Sequence, residues 1–152
     1  MLKTGEKAPS FKLQDSEGMV HSLEDYQGKT FVVYFYPKDD TPGCTKEACS
    51  FRDNYSAFEE AGVEIIGISP DTVESHQKFS EKYELPFTLL ADPDHKVCEA
   101  YEVWGLKKSF GREYEGVFRT TFIIGPEGKI KRVFENVKPS EHSQEVLEEV
   151  SG

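Results

Sequence analysis

The chain is poor in cysteine, in basic residues and in long apolar runs. Three cysteines in 152 residues are too few for a disulfide framework, and no stretch approaches the ~20 apolar residues that cross a bilayer. Residues 1–7 lack the apolar run of a secretory signal, so we expect a cytoplasmic protein whose thiols are kept reduced. With 18 basic against 28 acidic residues, the net charge of −10 repels phosphate backbones and anionic lipids. We therefore expect neither nucleic acid nor membrane as a partner.

The apolar segments that are present predict an α/β fold in one domain, residues 1–152. The run 31–36 is continuous, aromatic and β-branched, as in a central strand buried on both faces. Together the patterns predict a mixed central β-sheet sandwiched by helices, with an N-terminal β-hairpin around a turn at 15–18. In chain order we expect strands at 11–14, 19–22 and 31–36, a helix at 44–61, a strand at 63–69, a helix at 73–83, a strand at 88–91, a helix at 96–101, strands at 120–124 and 129–134, and a helix at 140–150.

Cys44 lies where a loop enters the first long helix, shortly after the central strand. A helix N-terminus offers unpaired amide donors and a partial positive charge, and both favour the reactive thiolate. Gly43 allows a small reactant to approach the backbone, and Thr41 can direct its hydroxyl to the same place. Arg119, at the start of a predicted strand, is the arginine best placed to stabilise negative charge. These four residues predict a nucleophilic thiol site.

Each of these residues also has an ordinary structural explanation. A buried cysteine is usually a small core residue. Thr41 also fits the role of a helix cap, and Arg119 fits that of a surface residue at a strand edge. The prediction of a reactive site therefore depends on the residues occurring together.

Cys49 follows Cys44 by five residues on the same predicted helix. Positions i and i+5 of an α-helix have Cα atoms ~8.7 Å apart, whereas a disulfide requires a separation of ~7 Å or less. No proline or glycine interrupts residues 45–48, so we expect an intact helix in the reduced protein. A Cys44–Cys49 disulfide would then require the first turns of this helix to unwind.

Zinc binding is the main alternative role for this pair of cysteines. Structural zinc sites usually pair their ligands as Cys-x-x-Cys and need four of them. The remaining candidates, Cys98 and four scattered histidines, form no second pair, so we expect no metal. Cys98 lies in a short amphipathic helix and is expected to be buried and inert.

The residues around Cys44 resemble the active-site signature of the peroxiredoxins. The pattern Pro-x-x-x-Thr-x-x-Cys is matched by Pro37, Thr41 and Cys44. A longer form, Tyr-Pro-x-Asp-x-Thr-Pro-Gly-Cys-Thr-x-Glu-Ala-Cys, is typical of the bacterioferritin-comigratory or peroxiredoxin Q group and runs from residue 36 to residue 49. Segments 5–11 and 119–124 are also similar to this family, so the resemblance covers nearly the whole chain.

This resemblance implies a thioredoxin-like fold and a thiol peroxidase that uses no metal, haem or flavin. Cys44 would be the peroxidatic cysteine, which attacks hydrogen peroxide or an alkyl hydroperoxide. Cys49 would resolve the resulting sulfenic acid as an intramolecular disulfide, and thioredoxin would reduce that disulfide. A resolving cysteine within the chain removes the need for a second subunit, so we expect a monomer or at most a weak dimer.

The resemblance also implies a set of substrate-binding residues. Pro37 would shield the site from water, Thr41 would hydrogen-bond the peroxide, and Arg119 would hold the thiolate and polarise the peroxide. The backbone amides of Gly43 and Cys44 would bind a peroxide oxygen.

Three other activities fit part of the pattern. A thioredoxin-type disulfide oxidoreductase normally uses Cys-x-x-Cys, and the wider spacing here disfavours it. A glutathione peroxidase is disfavoured by Thr41 and Arg119, which fit the peroxiredoxin site. A redox sensor or holdase would use the same thiols, so only turnover with a reductant separates it from a peroxidase.

Overall fold

The computed structural model describes residues 2–135 and 137–151. None of the helices in these two ranges has the length and apolar character needed to cross a membrane. The elements in chain order are β1 (Lys12–Asp15), β2 (Val20–Ser22), a 3-10 turn (Leu23–Tyr26), β3 (Phe31–Phe35), α1 (Pro42–Asp53), α2 (Tyr55–Glu60), β4 (Glu64–Ser69), α3 (Val73–Tyr83), β5 (Thr88–Ala91), α4 (Lys96–Ala100), β6 (Trp104–Ser109), β7 (Arg112–Val117), β8 (Thr120–Ile124), β9 (Ile130–Phe134) and α5 (His142–Ser151).

Strand β3 lies inside a seven-stranded mixed sheet of order β2-β1-β5-β4-β3-β8-β9. It runs parallel to β4 and antiparallel to β8. Its side chains alternate between two apolar clusters: Phe31, Val33 and Phe35 pack on the side of α4, and Val32 and Tyr34 pack on the side of α1, α3 and α5. All five residues are buried, which confirms the prediction of a central strand covered on both faces.

Three chain segments meet at one end of the central strands of this sheet. The parallel strands β3 and β4 both end there, because their carboxyl ends point the same way. Strand β8 begins at this same end of the sheet, because it is antiparallel to β3 and pairs Thr120 with Phe35. The loop that leads into α1 is therefore a neighbour of the residue that precedes β8. This topology brings positions 44 and 119 together.

Most of the predicted elements are confirmed. The N-terminal hairpin forms as an antiparallel pair of β1 and β2. Helix α3 and strand β5 have the predicted bounds, 73–83 and 88–91. The antiparallel pair β8–β9 is joined at the predicted turn, where the Gly128 amide donates to the Gly125 carbonyl at 2.9 Å.

The predicted helix 44–61 is wrong in its bounds, because the structure divides it into α1 and α2. α1 already begins at Pro42, which occupies the first helical position, where a missing amide hydrogen costs nothing. The break falls at Asn54, whose backbone leaves the helical region (φ −103°, ψ 9°). Its side-chain Nδ2 donates to the Ser50 carbonyl at 3.2 Å and to Ser143 Oγ at 2.9 Å. A tertiary contact to α5 thus accompanies this break, and no local sequence signal marks it.

The sequence-based prediction also missed the hairpin β6–β7, which pairs antiparallel outside the main sheet. Strand β7 is almost entirely exposed. Because no buried face imposes an alternation of apolar and polar residues, charged residues fill these strands and the period-two signal is lost.

Candidate active site

Cys44 is the third residue of α1 and is almost fully buried, with 1% of its surface exposed. The helix begins after Thr41, whose extended backbone (φ −101°, ψ 156°) gives the N-cap geometry, and the Thr45 amide donates to the Thr41 carbonyl at 2.8 Å. Cys44, Glu47, Ala48 and Phe51 form the buried face of the helix, at the i, i+3, i+4, i+7 spacing of an amphipathic helix. The thiol therefore lies among the first-turn amides that an α-helix leaves unpaired.

Arg119 connects the start of β8 to α1. One guanidinium nitrogen, Nη2, donates to Cys44 Sγ at 3.3 Å, and the other, Nη1, donates to Glu47 Oε1 at 2.7 Å. Burial lowers the pKa of Arg119, but the charges of Glu47 and Cys44 outweigh burial and raise it overall. The guanidinium is therefore held in the charged form beside the sulfur. The surface role considered for Arg119 from sequence does not describe this position.

Glu47 is a site residue that sequence reasoning did not select. Its side chain is fully buried and its Oε2 has no hydrogen-bond partner among residues 2–135 and 137–151. Burial raises the pKa of Glu47 to about 7, although Arg119 acts in the opposite direction. The available signal was the spacing: Glu47 follows Cys44 by three residues, which places both on one helix face. Near neutral pH this carboxyl group is poised between its two protonation states.

Pro37 and Thr41 lie on the loop that precedes α1, seven and three residues before Cys44, and both are half-buried. The Thr41 hydroxyl donates to the Lys38 carbonyl at 2.8 Å and makes no capping hydrogen bond within the described chain. The cap role considered for this side chain is therefore wrong, although its backbone occupies the N-cap position. Having donated its hydrogen, the hydroxyl oxygen keeps lone pairs that can accept from a bound ligand.

Gly43 is in close contact with the arginine. A Cβ atom at this position would lie 3.2 Å from Arg119 Nη2 and 3.7 Å from Pro139 Cγ. Any side chain here would press on the guanidinium that contacts Cys44. The glycine thus permits a close approach of the backbone to Arg119, whereas the approach of a small reactant expected from the sequence stays a prediction.

The two other cysteines have different surroundings. All three are free thiols in the described chain, and α1 runs unbroken through Cys44 and Cys49, as expected for the reduced protein. Cys49 is half-buried. Cys98 is fully buried in α4, and its backbone amide donates to an Asp92 carboxylate oxygen at 2.8 Å. Burial raises the pKa of the Cys98 thiol far above its usual range, which agrees with the prediction of a buried, inert cysteine.

The hairpin β6–β7 brings a further cation to this region. Lys107 Nζ donates to the Val117 carbonyl at 2.9 Å, two residues before Arg119. Burial lowers the pKa of Lys107, the charge of Arg119 lowers it further, and Cys44 raises it. The Lys107 ammonium therefore lies close enough to Arg119 and Cys44 for their charges to affect its pKa.

A buried free thiol beside a half-buried arginine, at a helix N-terminus that follows a central strand, is the arrangement of a thiol-based redox protein of the thioredoxin-like fold. The sequence matches the AhpC/TSA family over residues 4–133. It is 50% identical over 147 residues to peroxiredoxin Bcp of Bacillus subtilis, covering 97% of this chain and 94% of that protein. It is 49% identical over 146 residues to peroxiredoxin Bcp of Escherichia coli K12, covering 96% and 94%.

Solved structures agree with these relatives. Peroxiredoxin Q of Xanthomonas campestris superposes with a TM-score of 0.88 at 37% identity, covering 93% of this chain and 89% of that one. A mutant of PrxQ from Xylella fastidiosa superposes with a TM-score of 0.93 at 32% identity, covering 99% and 96%. The chain therefore belongs to the AhpC/TSA family and, within it, to the peroxiredoxin Q or Bcp group, which makes it a peroxidase.

Proposed function

We propose that the chain is a thiol-dependent peroxidase that reduces hydrogen peroxide and organic hydroperoxides at Cys44. The observation that carries this proposal is the 3.3 Å contact from Arg119 Nη2 to Cys44 Sγ in the first turn of α1. A guanidinium and a helix N-terminus both favour the thiolate, which is the nucleophilic form. The alkyl peroxide reduction activity of the bacterioferritin comigratory protein of X. campestris supports organic substrates; that structure superposes with a TM-score of 0.88 at 37% identity.

In the proposed reaction the Cys44 thiolate attacks the terminal oxygen of the hydroperoxide. An S–O bond forms while the O–O bond breaks, so the sulfur becomes a sulfenic acid that keeps the hydroperoxide proton. The other oxygen leaves as hydroxide or alkoxide and takes a proton from solvent. Arg119 stabilises the charge that develops on this oxygen. Thr41, with its free lone pairs, accepts the hydrogen bond of the peroxide.

The backbone around the thiol completes the proposed substrate site. The amides of Gly43 and Cys44 belong to the first helical turn, where α-helices leave donors without intrahelical partners. They would bind a peroxide oxygen, and Pro37, on the same loop, would limit the access of water. This role requires the loop to hold its shape around the thiol.

Cys49 is the proposed resolving cysteine. Its thiolate attacks the sulfur of the Cys44 sulfenic acid, an S–S bond forms, and the departing hydroxide is protonated to water. Because the intact helix α1 carries both residues, this step requires the turns between them to unwind, and the Arg119–Glu47 ion pair would be lost with them. We propose that thioredoxin reduces this disulfide in the cytoplasm. The chain itself would act as a monomer with a single domain.

The first experiment is a peptide map of the reduced protein after one equivalent of hydrogen peroxide, with the rate followed by intrinsic fluorescence. We expect rapid formation of a Cys44–Cys49 disulfide. The Cys44→Ser variant is the matched control and should show neither the fast phase nor the disulfide. Slow oxidation spread over all three cysteines would contradict the proposal.

Turnover with thioredoxin, thioredoxin reductase and NADPH then separates an enzyme from a redox sensor. A peroxidase consumes many equivalents of peroxide per chain under these conditions. A protein that oxidises once and is not recycled would support the sensor instead. Turnover by glutaredoxin alone would keep the peroxidase but replace the proposed partner.

A further inference from the structure

The loop between β3 and α1 is tied to α3 by a buried polar cluster. The Asp39 carboxylate accepts from Tyr36 Oη at 2.6 Å and from Ser75 Oγ at 2.8 Å, and its Oδ2 lies 2.7 Å from His76 Nδ1. The side chains of Asp39 and His76 are 3% and 0% exposed. Asp39 lies between Pro37 and Thr41 in sequence, so the cluster holds the centre of the loop that flanks Cys44.

His76 extends this connection to the sheet. Its Nε2 lies 2.9 Å from the Leu90 carbonyl of β5, and a carbonyl can only accept, so Nε2 carries a hydrogen. On the other side one proton lies between Nδ1 and the Asp39 carboxyl group, whichever of the two groups holds it. The imidazole therefore joins loop, helix and strand with hydrogen bonds at both ring nitrogens. Because the His76 side chain is fully buried, losing either bond would leave an unpaired polar group away from water, which is unfavourable.

The backbone of the loop has an anchor of its own. The Asp39 amide donates to Asp71 Oδ2 at 2.8 Å, and the same oxygen accepts from Ser69 Oγ at 2.6 Å. Ser69 ends β4, and residue 71 precedes α3. The loop is thus fixed to α3 through the Asp39 side chain and, through the Asp39 main chain, to the segment that follows β4.

The polar side chains of this cluster hydrogen-bond to one another rather than leaving free ligand atoms for a metal ion. Asp39, Asp71 and His76 place three potential ligand atoms within 4.8 Å of one another. However, both nitrogens of His76 and both carboxylate oxygens of Asp39 already have partners within the protein. A cation would have to displace these donors, so the cluster is better described as a structural clamp.

We propose that His76, acting through Asp39, is a positioning residue for peroxide reduction. It fixes the loop so that Pro37 and Thr41 stand in the correct place around Cys44. This inference rests on the proposed peroxidase function. It adds that this function depends on His76, which lies in α3 and outside the loop. His76 itself contacts neither the thiol nor Arg119 in the described hydrogen-bond network; its partners are Tyr36, Asp39 and Leu90.

Two reactions of the same sulfur separate this role from general stabilisation. Attack on peroxide needs both the thiolate and the loop that binds the oxygens. Alkylation by iodoacetamide needs the thiolate, whose arginine comes from the start of β8 and not from the loop. Loosening the clamp should therefore slow the first reaction without slowing the second.

The test compares His76→Gln with a matched control, His21→Gln. His21 also lies between an aspartate and a tyrosine, with Nε2 2.7 Å from Asp15 Oδ2 and Nδ1 2.9 Å from Tyr26 Oη, but on the N-terminal hairpin. In His76→Gln we expect the second-order rate with hydrogen peroxide to fall at least ~10-fold, because a misplacement of ~1 Å in a site can cost ~100-fold. Its alkylation rate should not fall below that of the wild type, and His21→Gln should keep both rates.

Asp71→Ala provides a second variant in case His76→Gln fails to fold. Asp71 is half-buried, and its loss should give the same selective defect to a smaller extent. The clamp role is overturned if the peroxide and alkylation rates of His76→Gln fall together, or if His21→Gln shows an equal defect. It is also overturned if the wild type reacts rapidly with peroxide and His76→Gln reacts at the same rate. If the wild type itself reacts with peroxide no faster than a free thiol, the proposed peroxidase function fails and this role fails with it.

Discussion

The guanidinium of Arg119 contacts the thiol of Cys44 at 3.3 Å, although 75 residues separate them in sequence. The contact exists because β8 starts beside the residue at which β3 ends. It makes Arg119 the side chain whose replacement should affect the chemistry most directly.

Replacement of Arg119 by Lys should slow the reaction of Cys44 with hydrogen peroxide by ~100-fold or more, the usual effect of losing one donor to developing charge. Lysine keeps the charge, but its single ammonium cannot present two nitrogens in a fixed plane to Cys44 and Glu47. Arg112, which lies on exposed β7, is the control position. Stopped-flow fluorescence measures both rates, and an Arg119→Lys rate equal to that of Arg112→Lys would contradict the prediction.

Replacement of Glu47 by Gln should change how stability depends on pH. The folded state raises the pKa of Glu47 from its usual 4.5 to about 7, so this group favours folding below pH ~4.5 and loses that contribution as pH rises through 7. The wild type should therefore lose stability relative to Glu47→Gln between pH 5 and 8, by at most ~1.4 kcal/mol per pH unit. Urea unfolding of both reduced proteins across this range measures the difference, and parallel curves would exclude the effect.

His142 should produce the opposite slope. Its side chain is fully buried, its Nε2 lies 2.6 Å from Thr121 Oγ1, and burial lowers its pKa below the usual 6.5. A histidine with a lowered pKa contributes its stability above pH ~6.5 and loses it as pH falls through the folded-state pKa. The wild type should therefore lose stability relative to His142→Gln as pH drops below 6.5. The half-buried His95, replaced in the same way, is the control, and an identical slope in both variants would contradict a specific role of His142.

Replacement of Ser143 by Ala should accelerate the proposed disulfide formation. Ser143 in α5 hydrogen-bonds to Ser50, the residue after Cys49, and accepts from Asn54 Nδ2 at 2.9 Å. These bonds resist unwinding of α1 immediately beyond Cys49. A hydrogen bond is worth ~0.5–1.5 kcal/mol net, so the loss of both should speed the disulfide step by ~5-fold or more.

The rate of peroxide attack should stay constant in Ser143→Ala, because Ser143 does not contact the thiol. The two steps appear as separate fluorescence phases, so one experiment reports both. A slower disulfide step in this variant would mean that α5 assists the unwinding instead of opposing it.

Local patterns predicted the parts of this protein whose structure depends on neighbouring residues. The buried strand β3, helix α3 and strand β5 could be derived from runs of apolar residues and their periodicity. The helix entry just before Cys44 could be derived from Pro42, which fits the first helical position. The resemblance around that cysteine placed the chain in its family, which the curated relatives confirm.

Only the tertiary structure decided the features that join distant segments. The sequence shows no signal for the break at Asn54, because its partner Ser143 lies 89 residues away. It does not reveal that Glu47 is buried against Arg119, since a glutamate on a charged helix is normally solvated. Nor does it show that His76 holds Asp39, because scattered histidines carry no periodic signal. The amino-acid sequence by itself determined most of the elements and the position of Cys44 near a helix start, whereas the order of strands in the sheet decided which charges and hydrogen bonds surround this cysteine.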